Sequence, residues 1–260
     1  MNSAFSAPTP KRPGTLYLVP TPLDFGCESL SPLDHVLPQA TITRAAALQH
    51  WVCENAKSAR AFLKRVDEVS PLHVSIQLQQ IQQLPRDVHK KGDADFDARS
   101  LLTPALQGQD IGLLSEAGMP AIADPGASLV RAAHSLGIAV QPLVGPISLM
   151  LALAASGLNG QNFAFVGYVP SEPALRAQRI KALEAMALKT GQTQMFIETP
   201  YRNEALLRTL LEVLQAGTRL AVSMGLTLDT CCHFSGTPTQ WKRANWSLNN
   251  QTPAVFSIGP

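Results

Sequence analysis

Residues 111–140 read Ile111-Gly112-Leu113-Leu114-Ser115-Glu116-Ala117-Gly118-Met119-Pro120-Ala121-Ile122-Ala123-Asp124-Pro125-Gly126-Ala127-Ser128-Leu129-Val130-Arg131-Ala132-Ala133-His134-Ser135-Leu136-Gly137-Ile138-Ala139-Val140. The stretch opens on a short apolar run and passes through small residues and prolines. Leu129, Val130, Ala133 and Leu136 then recur at helical spacing before a second short apolar run begins at Ile138. Period and punctuation together predict strand, turn, helix and strand. Apolar runs alternating with helix-period segments argue for an α/β chain whose first half holds largely parallel strands.

The same alternation extends outward in both directions. Thr15 to Val19 is the first clear strand, closed by Pro20-Thr21-Pro22, whose two prolines fix an extended turn. A helix is expected from about Asn55 to Val66, with Ala59, Phe62, Leu63 and Val66 on its apolar side. Residues Gln77 to Gly92, rich in Gln, Lys and Pro, are expected to form a variable, partly helical excursion. Beyond Gly145, strands are predicted near Phe163–Val166, Thr193–Ile197, Arg219–Met224, Thr230–Phe234 and Ala254–Ile258. Helices are expected at Glu172–Leu188, charged on its exposed side, and at Asn203–Gln215. Short connections between the last strands point to a mixed second sheet. The predicted organisation is a flexible N-terminus at 1–13, one α/β domain at 14–144 and a second at 145–260.

Bulk properties agree. A chain of 260 residues exceeds a comfortable single core and favours two domains. Its 45% hydrophobic and 15% charged residues describe a folded protein, not a disordered one. A net charge of +2, without a block of Lys or Arg, permits a nucleic-acid partner without pointing to one. Cys27, Cys53, Cys231 and Cys232 form no C-x-x-C pair, and the six histidines lack ligand spacing, so no metal site is expected. The N-terminal residues lack the apolar core of a secretory signal. Leu143 to Leu158, interrupted by Gly145, Pro146 and Gly157, reads as a buried helix, too short to span a bilayer. The expected protein is soluble.

In open α/β sheets, ligands sit at the carboxyl ends of strands. Three such ends here are rich in small residues and proline: Val19 to Leu23, Ser115 to Gly126, and Gly145 to Ser148. Small residues let backbone groups approach a ligand closely. No G-x-G-x-x-G follows a strand and no phosphate loop is present. The physical reading therefore ends at an adenosine-sized ligand of undetermined kind.

Four segments then carry a resemblance. Gly14 to Leu23 is similar to the opening of the tetrapyrrole methylase superfamily, in its ribosomal RNA small subunit methyltransferase I branch. Ser115 to Gly126 resembles that branch's S-D-A-G-x-P-x-x-x-D-P-G signature. Val144-Gly145-Pro146 with Ala154 to Leu158 resembles its G-P-S-A helix, and Glu198-Thr199-Pro200-Tyr201-Arg202 its E-S/T-x-x-R segment. The resemblance implies two α/β domains with S-adenosylmethionine in a cleft between them, in a cytoplasmic homodimer. It maps cofactor contacts onto Pro20, Thr21, Pro22, Leu23, Glu116, Ala117, Gly118, Met119, Ala123, Ile147 and Ser148. Second-domain contacts are expected at Ile197, Glu198, Met224, Pro253 and Ala254. Glu116 would supply an acid for the sulfonium and amino groups.

The acceptor side departs from the pattern. Glu54-Asn55-Ala56-Lys57 stands where the branch has E-D-T-R, within a retained helix that includes Arg60 and Phe62. Gly225-Leu226-Thr227-Leu228 stands for E-L-T-K, and the chain ends at Pro260 without a C-terminal extension. Glu54 and Lys57 are expected to act in catalysis, with Asn55, Arg60, Tyr201 and Arg202 on the acceptor. That acceptor is RNA, with a ribose-like site, or a small heterocycle; no DNA or membrane partner is expected. The departures argue that it is not the ribose the long rRNA enzyme modifies. A catalytically idle cofactor-binding scaffold is the competing reading.

Overall fold

The computed structural model describes residues 12–85, 88, 93, 95–244 and 246–260. Residues 1–11 of the expected flexible N-terminus, and most of 86–92, lie outside the described residues. The chain divides into two compact units, Met1–Thr21 with Leu33–Gly145, and Pro22–Pro32 with Pro146–Pro260. Pro22–Pro32 thus belongs with the later half of the chain: Leu23 packs beside Leu149 and Leu226, and the Ser31 hydroxyl donates to the Thr227 carbonyl at 2.8 Å.

The first unit runs β1 (Thr15–Leu18), α1 (Leu33–Val36), α2 (Gln39–Ala47), β2 (His50–Cys53), α3 (Ala56–Val69), β3 (Gln80–Gln83), α4 (Thr103–Leu106), β4 (Ile111–Leu114), α5 (Ala127–Ser135) and β5 (Ala139–Pro142). Its sheet has the order β3-β2-β4-β1-β5, with every pairing parallel. All four residues of β4 are buried, as a central parallel strand requires. Gly112 admits no side chain there, since a Cβ would lie 2.3 Å from the Trp51 ring. Separate apolar clusters cover the sheet, one built with α2 and α3, the other with α5.

Within the expected partly helical excursion at Gln77–Gly92, a short helix at Ile76–Leu78 gives way to an edge strand, Gln80–Gln83, beside β2. An edge strand leaves most side chains in water, so it carries no apolar pattern to read. Its anchor is polar. Gln79 accepts from Trp51 Nε1 at 2.9 Å and donates to the Val74 carbonyl at 2.7 Å.

The second unit runs α6 (Ser148–Ser156), β6 (Phe163–Tyr168), α7 (Pro173–Thr190), β7 (Thr193–Glu198), α8 (Asn203–Val213), β8 (Arg219–Met224), β9 (Cys232–Gly236), α9 (Pro238–Ala244) and β10 (Ala254–Gly259). The sheet order is β6-β7-β10-β8-β9 and it is mixed, because β6 pairs parallel with β7 while β10 pairs antiparallel with both β7 and β8. Phe196 and Phe256 stack at 6.0 Å in the core, and Trp241 donates from Nε1 to the Leu220 carbonyl at 2.8 Å.

Two expectations change here. Helix α7 does not keep all its charge outside, for Arg176 and Glu184 are buried. Burial of Glu184 is tolerated because Gln215 N donates to it at 2.8 Å and the Thr218 hydroxyl at 2.5 Å. Helix α6 buries only Leu149, Ala152, Leu153 and Ser156, while Met150 and Leu151 are exposed. Among the described residues no helix is long and apolar enough to cross a membrane.

Candidate functional site

In the first unit the strand-end turns are joined. Beyond β1, Thr21 and Gly118 exchange backbone hydrogen bonds of 3.0 and 3.1 Å, so the turn after β1 pairs with the turn after β4. The Thr21 hydroxyl donates to the Ser115 carbonyl at 3.4 Å, and the Ser115 hydroxyl to the Gly118 carbonyl at 3.3 Å. Pro20 and Thr21 are thereby brought beside Glu116 to Met119. Gly145 backs this corner, since a Cβ on it would lie 2.3 Å from Pro20 Cγ. Gly118 has φ +77°, and Ala121 and Ala123 hold φ +65° and +64°, conformations costly for a residue with a Cβ. Backbone strain of this kind concentrates where a loop is shaped for a ligand.

Acids gather behind the same corner. Glu54 follows β2 and accepts the Glu116 backbone N–H at 3.3 Å. Burial, with the Glu116 charge adding to it against that hydrogen bond, pushes the Glu54 carboxyl up to about 7. Burial also pushes Asp124 up to about 7, helped by the charges of Glu54 and Glu116 and opposed by the Ser115 hydroxyl. Asp124 was missed as a site residue. It stands inside the signature stretch, but the Asp-Pro-Gly sequence there reads first as turn chemistry.

Of the other first-unit candidates, Asn55 caps α3, its Oδ1 accepting from Lys57 N at 2.9 Å. Lys57 and Arg60 are exposed, and Arg60 donates only to the Ala56 carbonyl of its own helix, at 3.3 Å.

In the second unit, strand register gathers the predicted set. Ala254 of β10 lies opposite Glu198 on β7 and Met224 on β8, so Ile197, Glu198, Met224, Pro253 and Ala254 share one end of the sheet. Leu23, Ile147 and Ile197 join one apolar cluster with Leu226 and Val255. Pro22 precedes Leu23, and Ser148 opens α6. Glu198 Oε1 accepts from Thr199 N at 2.7 Å and from Arg202 Nη2 and Nε at 2.6 and 3.0 Å. Arg202 is therefore committed to Glu198, with its guanidinium 5.5 Å above the ring of Tyr201, which is 68% exposed.

Polar atoms at this end of the second sheet are left over. Glu198 Oε2, Asn203 Oδ1 and Thr227 Oγ1 are buried without a hydrogen-bond partner. Asn203 donates its amide to the Thr252 carbonyl at 2.9 Å, and Thr227 sits at φ +71°, rare for a β-branched residue. Buried acceptors without donors are uncommon. Asn203 and Thr227 had no distinguishing signal in the sequence.

Residues 39–230 match the family model of the Tetrapyrrole (Corrin/Porphyrin) Methylases. The chain belongs to this family. Among curated proteins it is 34% identical over 191 residues to the ribosomal RNA small subunit methyltransferase I of Xylella fastidiosa, covering 73% of this chain and 60% of that protein. It is 30% identical to the Pseudomonas aeruginosa protein of the same name, covering 84% of this chain and 68% of the relative. The chain thus spans about three fifths to two thirds of the length of these tetrapyrrole methylase relatives. Solved structures of uroporphyrin-III-C-methyltransferase from Thermus thermophilus and of the methyltransferase CobJ share the fold. Their TM-scores are 0.52 and 0.54 at 18% and 14% identity, each covering 95% of this chain and 94% of the other.

Proposed function

We propose that this chain is a cytoplasmic S-adenosylmethionine-dependent methyltransferase whose acceptor is a hydroxyl group of RNA, of the ribose kind. The Glu54–Asp124 carboxyl cluster, held near neutrality behind the joined turns, carries the reading. A hydroxyl must lose its proton as it is methylated, and a base works best when its pKa lies near the operating pH. At about 7, Glu54 is half deprotonated at neutral pH and takes that proton, while burial and the Glu116 charge keep it from falling to the ordinary carboxylate range. Lys57, in the first turn of α3, offsets the negative charge that develops on the acceptor. The exposed Tyr201 ring, with Arg202 over it, offers a stacking surface for a base.

The donor fits the residues present. When bound, it supplies a methyl group already activated on a sulfonium centre. The joined turns of the first unit would hold it. Acids at Glu54, Glu116 and Asp124 suit its cationic groups. RNA as acceptor is supported by the names of the relatives, and the family match lends nothing to an idle scaffold. A homodimer is our reading of its assembly, supported by the uncharged outward face of α6 around Met150 and Leu151.

Incubation with methyl-labelled donor and fractionated cell extract tests the reading. Label in small-subunit rRNA is expected. Label confined to small molecules would mean a heterocyclic acceptor, and no transfer at all would mean an idle binder.

A further inference from the structure

Helix α3 presents two opposite faces of unlike chemistry. Ala59, Phe62, Leu63 and Val66 are buried, and on the other side Lys57, Arg60 and Lys64 stand exposed. At 3.6 residues per turn these three cations fall within an arc of about 60°, and at 1.5 Å per residue they span about 10 Å of the axis. Among the described residues no ion pair involves any of them, and Arg60 makes only its bond to the Ala56 carbonyl. The first turn has no acid, and the helix's own exposed acids, Asp67 and Glu68, come only in the last turn. The cationic run therefore begins at the helix N-terminus, where the partial positive charge of the aligned peptides reinforces it. Ala61, small and exposed beside the stripe, lets a polymer backbone come close.

Unpaired surface cations in one line are complementary to a line of anions. A length of about 10 Å covers a short run of successive phosphates on one strand. The line starts at Lys57, three residues beyond Glu54, the base of the proposed reaction. With a net charge of only +2 over the whole chain, the stripe is a local feature and not a share of general basicity.

We infer that α3 tracks the phosphate backbone of the RNA acceptor through Lys57, Arg60 and Lys64, delivering the reactive hydroxyl to the Glu54 end of the helix. The inference rests on the RNA reading above. Such contacts fix position and register without reading sequence.

The test is the salt dependence of binding to a fluorescein-labelled single-stranded fragment of small-subunit rRNA, read by anisotropy between 50 and 200 mM KCl. Each phosphate contact on a single strand contributes about −0.7 to the slope of log K against log salt. The full chain carrying Lys57→Gln, Arg60→Gln and Lys64→Gln is expected to show a slope shallower by about 2, and about 100-fold weaker binding near 0.1 M salt. Lys64→Gln alone should lose about 0.7 of slope, equally for unrelated RNA sequences. A control with the same loss of charge, Arg179→Gln, Lys181→Gln and Lys189→Gln on exposed positions of α7, should leave the slope unchanged. An unchanged slope in the α3 variant, or an equal drop in the control, overturns the inference while RNA binding by the unaltered chain keeps the RNA reading standing. Failure of the unaltered chain to bind any RNA overturns both.

Discussion

Replacing Glu54 by Gln should make this protein more stable in mild alkali while stopping its chemistry. A carboxyl whose folded value lies above its ordinary one binds its proton more tightly in the folded chain. Its contribution is complete below the ordinary value and is lost as pH rises through the folded value. For Glu54 that window runs from 4.5 to about 7, and Asp124, raised from 3.8 to about 7, adds to it. At 1.36 kcal/mol per pH unit, the Glu54 interval corresponds to about 3.4 kcal/mol, which partial contact with water reduces to about 2. The two acids repel one another, so their contributions do not add. Urea denaturation followed by tryptophan fluorescence should show the unaltered chain losing about 2–4 kcal/mol between pH 5 and 8.5. Glu54→Gln should flatten that fall by about 2 kcal/mol and lower the apparent pKa of Asp124, whose second-largest upward push is the Glu54 charge. Methyl transfer by the unaltered chain should rise through about pH 7, and the variant should lose about 10²–10⁴ in kcat. A flat stability curve for the unaltered chain, or a variant curve parallel to it, would sink the argument.

Other expectations concern packing and strain. Gly145→Ala drives a methyl group into the rigid Pro20 ring and should cost about 1–3 kcal/mol and weaken donor binding by calorimetry; unaltered affinity would remove the role given to that corner. Glu184→Ala strands the buried donors of Gln215 and Thr218 and should lower stability by about 2–3 kcal/mol in urea, whereas a loss below 0.5 would mean that the buried carboxylate contributes nothing net. Thr227→Gly relieves a β-branched residue at φ +71° of about 1–2 kcal/mol of backbone strain, so its thermal midpoint should rise; a lower midpoint would mean the conformation is not strained.

Much of this fold is legible in the sequence because buried strands and amphipathic helices leave periodic marks. Leu113 and Leu114, or Phe62, Leu63 and Val66, are where they are for the same reason they are apolar. Gln80–Gln83 is illegible on those terms: it takes its strand geometry from β2 and buries almost nothing. Arg176 and Glu184 mislead in the opposite direction, as charges whose burial depends on partners more than thirty residues away. At the site, the small residues of Ser115 to Gly126 reveal a place for a ligand, but the elevated pKa of Asp124 arises from burial and, next, from the charge of Glu54, seventy residues earlier. Such coupling exists only once β2 and β4 lie side by side.

The position of β10 in the second sheet has a consequence for how the protein is made. Strands β7 and β8 both pair with residues 254–259, and with each other not at all. During synthesis each must therefore wait, with an unpaired apolar edge, while the intervening chain emerges. At about 5–20 residues per second, the roughly 55 residues from the end of β7 to β10 take several seconds. The first unit, whose five parallel strands are all translated by residue 142, can close its sheet long before that. A nascent chain stalled short of Ala254 would hold one finished unit and one open sheet ready to pair with a stranger's strand. The arrival of residues 254–259 is therefore the event that closes the second sheet.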